Sequence, residues 1–276
     1  MENKPADPTP LAVPIHVGTM GWSYADWNGV FYPDNSENRD WLPLYARVFD
    51  TVEIDSTFYG TPRESAVQNW SRTTPDNFVF CAKVPRLITH DMELLDVAKP
   101  LSEFVKTMAG LGPKRGPMLF QMPPAFTRDQ LDALNALLPS LREVADADAK
   151  FAIEFRHASL LTADVFALLK EHNVALAATD YAGMPRRFAS TADFAYIRLI
   201  GKHGAFKSHR AVVEDRSQMV RRWASVLLRH QSDFREAWIF CNNDYEGFSP
   251  ATGWKVQEAL GLPTRQPASE LQGNLF

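Results

Sequence analysis

The chain has 276 residues, 45% of them hydrophobic and 22% charged, with a formal net charge of -4. That composition supports a sizeable core and excludes wholesale disorder, and the acidic balance disfavours nucleic acid as a partner bound through a large basic footprint. No run approaches the roughly 18 apolar residues of a membrane span, so no membrane partner is expected. Two cysteines, Cys81 and Cys241, with no CxxC pair, make neither a disulfide framework nor a cysteine zinc site and read as reduced core thiols of a cytoplasmic protein.

Met1 to Pro10 is polar with three prolines and reads as the start of a short leader covering residues 1–13. From residue 14 two periodicities alternate. A β-rich run, Ile15 to Thr19, is followed by a helical pattern from Arg39 to Phe49 with Leu42, Tyr45, Ala46 and Phe49 on one face. Thr51 to Asp55 is the second run. A helix over Arg63 to Arg72 follows, with Thr61-Pro62 as a start signal. Phe78 to Val84 precedes a helix from Leu101 to Leu111 that Gly112-Pro113 terminates. Pro117 to Met122 precedes Arg128 to Leu138, whose Leu131, Leu134, Leu137 and Leu138 fall at helical spacing. Phe151 to Phe155 precedes Thr162 to His172, with Thr162 as the cap. Ala175 to Thr179 leads into an irregular link, Asp180 to Asp193. Phe194 to Ile200 precedes the long helix Ser217 to Arg229. Ala237 to Asn242 and a last helix from Trp254 to Leu260 complete the series.

Eight strand–helix units in sequence predict an α/β fold with parallel strands joined by crossovers. The count and the length favour a single TIM-type (βα)8 barrel over residues 14–263, with an irregular sixth βα connection, over an open doubly wound sheet. Residues 264–276 are polar and contain proline, and read as a flexible tail.

In such barrels the active site lies at the C-terminal ends of the strands. The polar residues there are Glu53 and Asp55, Lys83 with Arg86 and His90, Gln121, Glu154 with Arg156 and His157, Asp180, Arg198, and Asn242, Asn243 and Asp244. Charged groups within strands cost several kcal/mol each unless paired. Their concentration at one end points to a ligand or catalytic site, against the alternative of ion pairs that only tie the barrel top together. The first loop adds Trp22, Tyr24, Trp27, Phe31 and Tyr32, and the second adds Phe58 and Tyr59. These aromatics either pack the loops onto the barrel or wall a sugar or base ring.

The same segments carry a family resemblance. Gly18-Thr-Met-Gly-Trp-Ser-Tyr24, Thr51-Val-Glu-Ile-Asp-Ser-Thr-Phe-Tyr59, Ala82-Lys-Val-Pro-Arg-Leu-Ile-Thr-His90 and Leu119-Phe-Gln-Met-Pro-Pro124 are similar to motifs of the YecE-like family of uncharacterised proteins. Glu154-Phe-Arg-His157, Thr191-Ala-Asp-Phe-Ala-Tyr-Ile-Arg-Leu199 and Asn242-Asn-Asp244 continue it, in order, from about Ile15 to Leu262. The resemblance implies a TIM barrel and little about activity. Two departures stand out: Ile200 where the family often has histidine, and Asp55 where many relatives have asparagine.

The rim mixes signs. Lys83, Arg86, Arg156 and Arg198 suit a phosphate or carboxylate. Glu53, Glu154 and Asp180 suit general acid–base work, and Asn242 and Asn243 suit hydroxyls or a developing oxyanion. Lys83 is either a Schiff-base nucleophile or, the favoured reading, an ion-pair partner of Glu53 or Glu154. The leading expectation is an enzyme, a hydrolase, lyase or isomerase, acting on a small anionic or polyhydroxylated substrate. The catalytic candidates are Glu53, Lys83, Glu154 and Asp180. The ligand-binding candidates are Arg86, His90, Arg156, His157, Arg198, Asn242, Asn243, Asp244, Trp22, Tyr24 and Tyr59. No cofactor signature is present; one divalent metal on Glu53, Glu154, Asp180 and His157 is an open alternative.

The last five residues, Gln272-Gly-Asn-Leu-Phe276, resemble the peptide by which bacterial replication and repair proteins dock on the sliding clamp. Gln272 would anchor by hydrogen bonds while Leu275 and Phe276 fill an apolar pocket. That expectation places the barrel near DNA, with a nuclease-like or nucleotide-binding role; the remaining class is a non-catalytic ligand-binding protein.

Overall fold

The computed structural model describes residues 12–267. Eight parallel strands close into one barrel in sequence order: β1 (Ile15–Met20), β2 (Thr51–Ile54), β3 (Val79–Lys83), β4 (Arg115–Gln121), β5 (Phe151–Glu154), β6 (Val174–Tyr181), β7 (Phe194–Gly201) and β8 (Glu236–Cys241). β8 pairs with β1 through Ile15–Ala237 to Thr19–Cys241, which removes both sheet edges. The TIM-type barrel read from the alternation is therefore the fold.

The outer layer holds α1 (Asn38–Tyr45), α2 (Glu64–Arg72), α3 (Ala98–Ala109), α4 (Leu131–Val144), α5 (Ala163–Glu171), α6 (Ser217–His230), α7 (Asn243–Glu246) and α8 (Ser249–Ala259). Some boundaries differ from the sequence reading. Helix α2 is capped at Arg63, so Thr61-Pro62 lies ahead of it. The Thr162 side chain does not cap α5; its hydroxyl accepts from Arg128 instead. Helix α8 begins at Ser249 with Pro250 in its first turn, five residues before the periodic pattern was legible. The single-turn α7 was not anticipated; the Asn242 side chain caps it by accepting from the Asp244 N–H. The link after β6 is irregular, as expected. Among the described residues no helix is long and apolar enough to cross a membrane.

Strand alternation sorts each side chain to one of two cores. Cys81, Leu119, Ala152, Ala175, Ala177, Tyr196, Trp238 and Phe240 form one apolar cluster that fills the lumen. The intervening residues, such as Val52, Ile54, Phe80, Phe120 and Ile153 on one side and Ile197, Leu199 and Ile239 on the other, pack outward against the helices. Cys81 and Cys241 are both buried and free.

Two local features aim groups at the mouth. At the end of β6 the register slips between Asp180 and Tyr181, so Asp180 sits opposite Leu199 while Tyr181 sits opposite Gly201. Gly201 has φ +78°, and a Cβ there would stand 2.2 Å from the Asp244 carbonyl oxygen. Only glycine permits that conformation and approach, which seat the loop after β7 directly on α7.

Candidate active site

The deepest charged tier belongs to Arg198, the lumen-facing residue near the end of β7. Its Nε and Nη2 donate to the two carboxylate oxygens of Glu53 on β2, at 3.0 and 2.7 Å. Its Nη1 donates to Glu154 on β5. The Tyr196 hydroxyl completes Glu53 at 2.6 Å, and Arg156 pairs with the other oxygen of Glu154. Glu53 and Glu154 are fully buried, and Arg198 is 3% exposed. A bidentate guanidinium–carboxylate fork with its remaining lone pairs satisfied is the geometry that makes such burial tolerable.

The two carboxylates are not equivalent. Burial pushes Glu53 above the ordinary glutamate value, and Asp55 adds to this against the pull of Arg198. Burial works the same way on Glu154, but Arg198 and Arg156 together outweigh it and hold that carboxyl below the ordinary value.

Above this tier a cavity of about 440 Å³ opens at the strand ends. Arg198 and Arg156 reach it from below. Lys83, Asp55, Gln121 and Asn242 line it with Phe58, Tyr59, His90 and Tyr181, and Met20, Ile200 and His203 complete the wall. The Lys83 Nζ donates to Gln121 Oε1 at 3.0 Å, lies 3.6 Å from Asp55 Oδ1, and sits 4.2 Å above the Phe58 ring. Burial holds the Lys83 ammonium below the ordinary lysine value, with Asp55 opposing and Arg198 assisting. Asp55 Oδ1 has cations at 3.6 and 3.8 Å but, among the described residues, accepts no hydrogen bond. Arg156 stacks 3.9 Å over Tyr181, which shares the lumen face of β6 with Ala175, Ala177 and Thr179. The His90 ring is kept below the ordinary histidine value by burial and by Lys83 and Arg86 beside it.

The whole chain can be set beside known proteins. The model of one protein family, described as "Protein of unknown function DUF72", matches residues 16–274. The chain belongs to the DUF72 family. It is 32% identical to the UPF0759 protein YecE of Escherichia coli K12 over 143 residues, which is 52% of this chain and 48% of YecE. It thus spans about half the length of that curated relative. A solved DUF72 family protein from Thermotoga maritima superposes with a TM-score of 0.76 at 25% identity, covering 90% of this chain and 99% of that one. The fold is also shared with D-psicose 3-epimerase from Clostridium cellulolyticum H10, solved with D-tagatose. There the TM-score is 0.54 at 12% identity, over 89% and 97% of the two chains, and the likeness is of fold alone.

In this DUF72 barrel the residues singled out from sequence divide into three groups. Lys83, His90, Arg156, Arg198, Asn242 and Tyr59 line the cavity. Glu53 and Glu154 lie beneath it, fully buried and engaged by arginine. Lys83 therefore pairs with Asp55 and Gln121, not with either glutamate.

The third group lies elsewhere. Asp180 points outward into the helix layer, where it accepts from Arg186 Nε, Trp223 Nε1 and the Tyr245 hydroxyl. Strand parity explains this: Ala175, Ala177 and Thr179 take the lumen side of β6, leaving Asp180 to the helices. Arg86 is exposed and paired with Asp91, and His157 is exposed with its ring against Ser159. Asn243 is spent on α8, accepting from the N–H and hydroxyl of Ser249. Asp244 accepts from the Gly204 N–H behind the cavity wall. Trp22 packs edge-on against Trp70 and Phe80, and Tyr24 donates to the Met20 carbonyl and packs at a tilt against Trp27. The first-loop aromatics are thus a packing core. The mixed metal set is not assembled either: Asp180 and His157 point away, and among the described residues no group of three or more His, Cys, Asp or Glu is placed to hold a metal ion.

Asp55, Gln121 and Phe58 were read onto the rim but not among the site candidates, and Tyr181 was not named; together they form much of the wall. Parity accounts for three of them: Asp55 lies two residues beyond Glu53, Gln121 two beyond the lumen residue Leu119, and Tyr181 two beyond Thr179. Ile200 does face the cavity, and His203, three residues on, also lines it.

Gln272, Leu275 and Phe276 lie outside the described residues, as do residues 1–11 of the leader.

Proposed function

We propose that the cavity at the barrel mouth is the active site of a cytoplasmic enzyme that transfers protons on a small, polyhydroxylated substrate bearing an anionic group. The carrying observation is Asp55 Oδ1. Among the described residues this carboxylate oxygen accepts no hydrogen bond, yet it lies 3.6 Å from Lys83 and 3.8 Å from Arg198 at the wall of a cavity of about 440 Å³. A substrate hydroxyl beside these groups would donate to Asp55 and accept from Lys83. An unsatisfied buried acceptor costs about 1–3 kcal/mol, which such a hydroxyl would relieve. Arg156, which meets Glu154 through Nε alone, supplies the anion contact, while Gln121 and Asn242 are amides of the kind that sort hydroxyl groups. Asp55 and Lys83 are the proton-transferring pair, and Glu53 and Glu154 are positioning residues that fix Arg198. Sugar isomerisation or lyase chemistry suits that pair, and the barrel is of the kind that in D-psicose 3-epimerase serves a sugar enzyme. Two free, buried thiols are consistent with a cytoplasmic setting.

Thermal melts and solvent exchange test this reading. Glycerol 3-phosphate and 6-phosphogluconate should raise the melting temperature, and glycerol and sorbitol at the same concentrations should not. Sugar phosphates incubated in deuterated water should gain deuterium next to the carbonyl, and Asp55→Asn should suppress the gain. Stabilisation without exchange would leave a non-catalytic ligand-binding protein. No stabilisation by any anion would overturn the site itself.

We infer a second, separable role from the segment Gln272-Gly-Asn-Leu-Phe276: recruitment to a bacterial sliding clamp, and through it to DNA maintenance. The supporting observation is the pairing of Gln272 with adjacent Leu275 and Phe276 after a polar stretch. Binding of the full chain to the clamp should vanish when residues 272–276 are removed. Equal binding by both chains, or by neither, overturns it.

A further inference from the structure

The amine of Lys83 has features that proton transfer alone does not require. It stands at the C-terminal end of β3, buried but open to the cavity on one side. Its neighbours differ in kind: the amide oxygen of Gln121 at 3.0 Å, the Phe58 ring at 4.2 Å and the Asp55 carboxylate at 3.6 Å. None makes the short, bidentate ion pair that locks Arg198 one tier below. The amide and the ring hold the head in place without neutralising it, and the carboxylate is near enough to exchange a proton with it through one intervening oxygen. A lysine so placed, on a rigid strand and facing a cavity, has the surroundings of a nucleophilic amine.

We infer that Lys83 forms a covalent iminium with the carbonyl carbon of a small hydroxylated aldehyde or ketone whose anionic group is held by Arg156. This rests on the proposed reading of the cavity and names its substrate class as α-hydroxy carbonyl compounds. The step balances as follows. The lone pair of the neutral amine adds to the carbonyl carbon, and the carbonyl π pair moves to oxygen. The nitrogen's proton passes to that oxygen by way of Asp55, giving a carbinolamine. Asp55 takes up one proton from solvent and gives it to the hydroxyl, which leaves as water while the nitrogen lone pair closes the C=N bond. The net change is amine, carbonyl and one proton to iminium and one water. Burial favours the neutral amine that starts the step, since it holds Lys83 below the ordinary lysine value. The iminium is an electron sink for loss of the adjacent proton, and Asp55, deprotonated again, lies on the same wall to take it.

The test uses the full chain and two carbonyl probes, dihydroxyacetone phosphate and pyridoxal 5′-phosphate, each followed by borohydride and peptide mapping by mass spectrometry. Hydride adds to the iminium carbon and leaves a stable secondary amine. The expected result is one adduct per chain on Lys83, formed at least tenfold faster than on any other lysine. Lys83→Arg should abolish it while keeping the circular dichroism spectrum, and Asp55→Asn should slow it by about tenfold through the proton-dependent dehydration. Adducts spread over surface lysines with Lys83 unmodified would overturn the inference. Glycerol 3-phosphate, which has no carbonyl, separates the two claims. If it stabilises the protein and Lys83 stays unlabelled, the anion site stands and the iminium falls. If it does not stabilise and nothing labels, both fall.

Discussion

The two charged tiers at the barrel mouth use the same side-chain chemistry to opposite ends. In the lower tier Arg198, Glu53 and Glu154 are almost wholly buried, and short hydrogen bonds saturate them. In the upper tier Lys83 and Asp55 are 3.6 Å apart, and one carboxylate oxygen accepts nothing. A saturated buried cluster holds position, because removing any member strands a charge in a medium that solvates it poorly. An unsaturated one is poised for a ligand, because a missing partner can be supplied from outside. Counting charges at strand ends treats the tiers alike. Only partner geometry separates them.

That contrast can be broken from below first. Arg198→Met removes the shared cation and leaves two buried carboxylates facing each other. Chemical unfolding at pH 7 should show a loss of about 3–5 kcal/mol. The loss should shrink as pH falls toward 4, since protonation removes the stranded charges.

The two glutamates sharpen the lower tier. Glu154 is held below its ordinary value, so its ionised form contributes stability at neutral pH that is lost as pH falls through its folded value. Glu53 is raised, so its contribution has the opposite sign: it is full below the ordinary glutamate value and is lost as pH rises through the folded value. Glu154→Gln should therefore cost about 2 kcal/mol at pH 7 and less on the acid side. Glu53→Gln should cost less than Glu154→Gln at pH 7. Equal costs at every pH, measured by urea titration, would contradict the asymmetry.

The upper tier should respond in function with little change in stability. Lys83→Met removes a buried ammonium and keeps its stem, so unfolding free energy should move by about 1 kcal/mol or less, in either direction. Deuterium exchange and borohydride labelling should be lost. Because burial holds the Lys83 ammonium below its ordinary value, labelling of the intact protein should rise with pH and level off at lower pH than for a free lysine side chain.

The smallest effect belongs to Tyr59, which is 85% exposed on the rim. Tyr59→Ala should leave stability within about 0.5 kcal/mol, because it packs against little. Weaker stabilisation by glycerol 3-phosphate would mark it as part of the site.

Alternation of periods two and 3.6 was enough to find all eight strands and to close them into a barrel. Burial on one face imposes that rhythm locally, and it needs no knowledge of distant neighbours. The polar residues at strand ends were equally visible, and Lys83, Arg156, Arg198, His90, Asn242 and Tyr59 do meet at the mouth. Asp180 shows where such reading fails. Its place at a strand end was legible, but its face depends on parity against the lumen, and that parity sends it to Arg186, Trp223 and Tyr245. Tyr181 follows the same rule to the other side: it continues the lumen parity of Ala175, Ala177 and Thr179 and so enters the cavity.

The fold, the family and the end of the barrel where polar residues gather are legible in the sequence, because each is written in short-range pattern or in ordered motifs. The tertiary structure alone decided which charges are saturated and which are free. Arg198 meets Glu53 across 145 positions of chain and Glu154 across 44, and Lys83 meets Gln121 across 38. Whether a buried charge is locked or available depends on distances between residues that no local pattern relates.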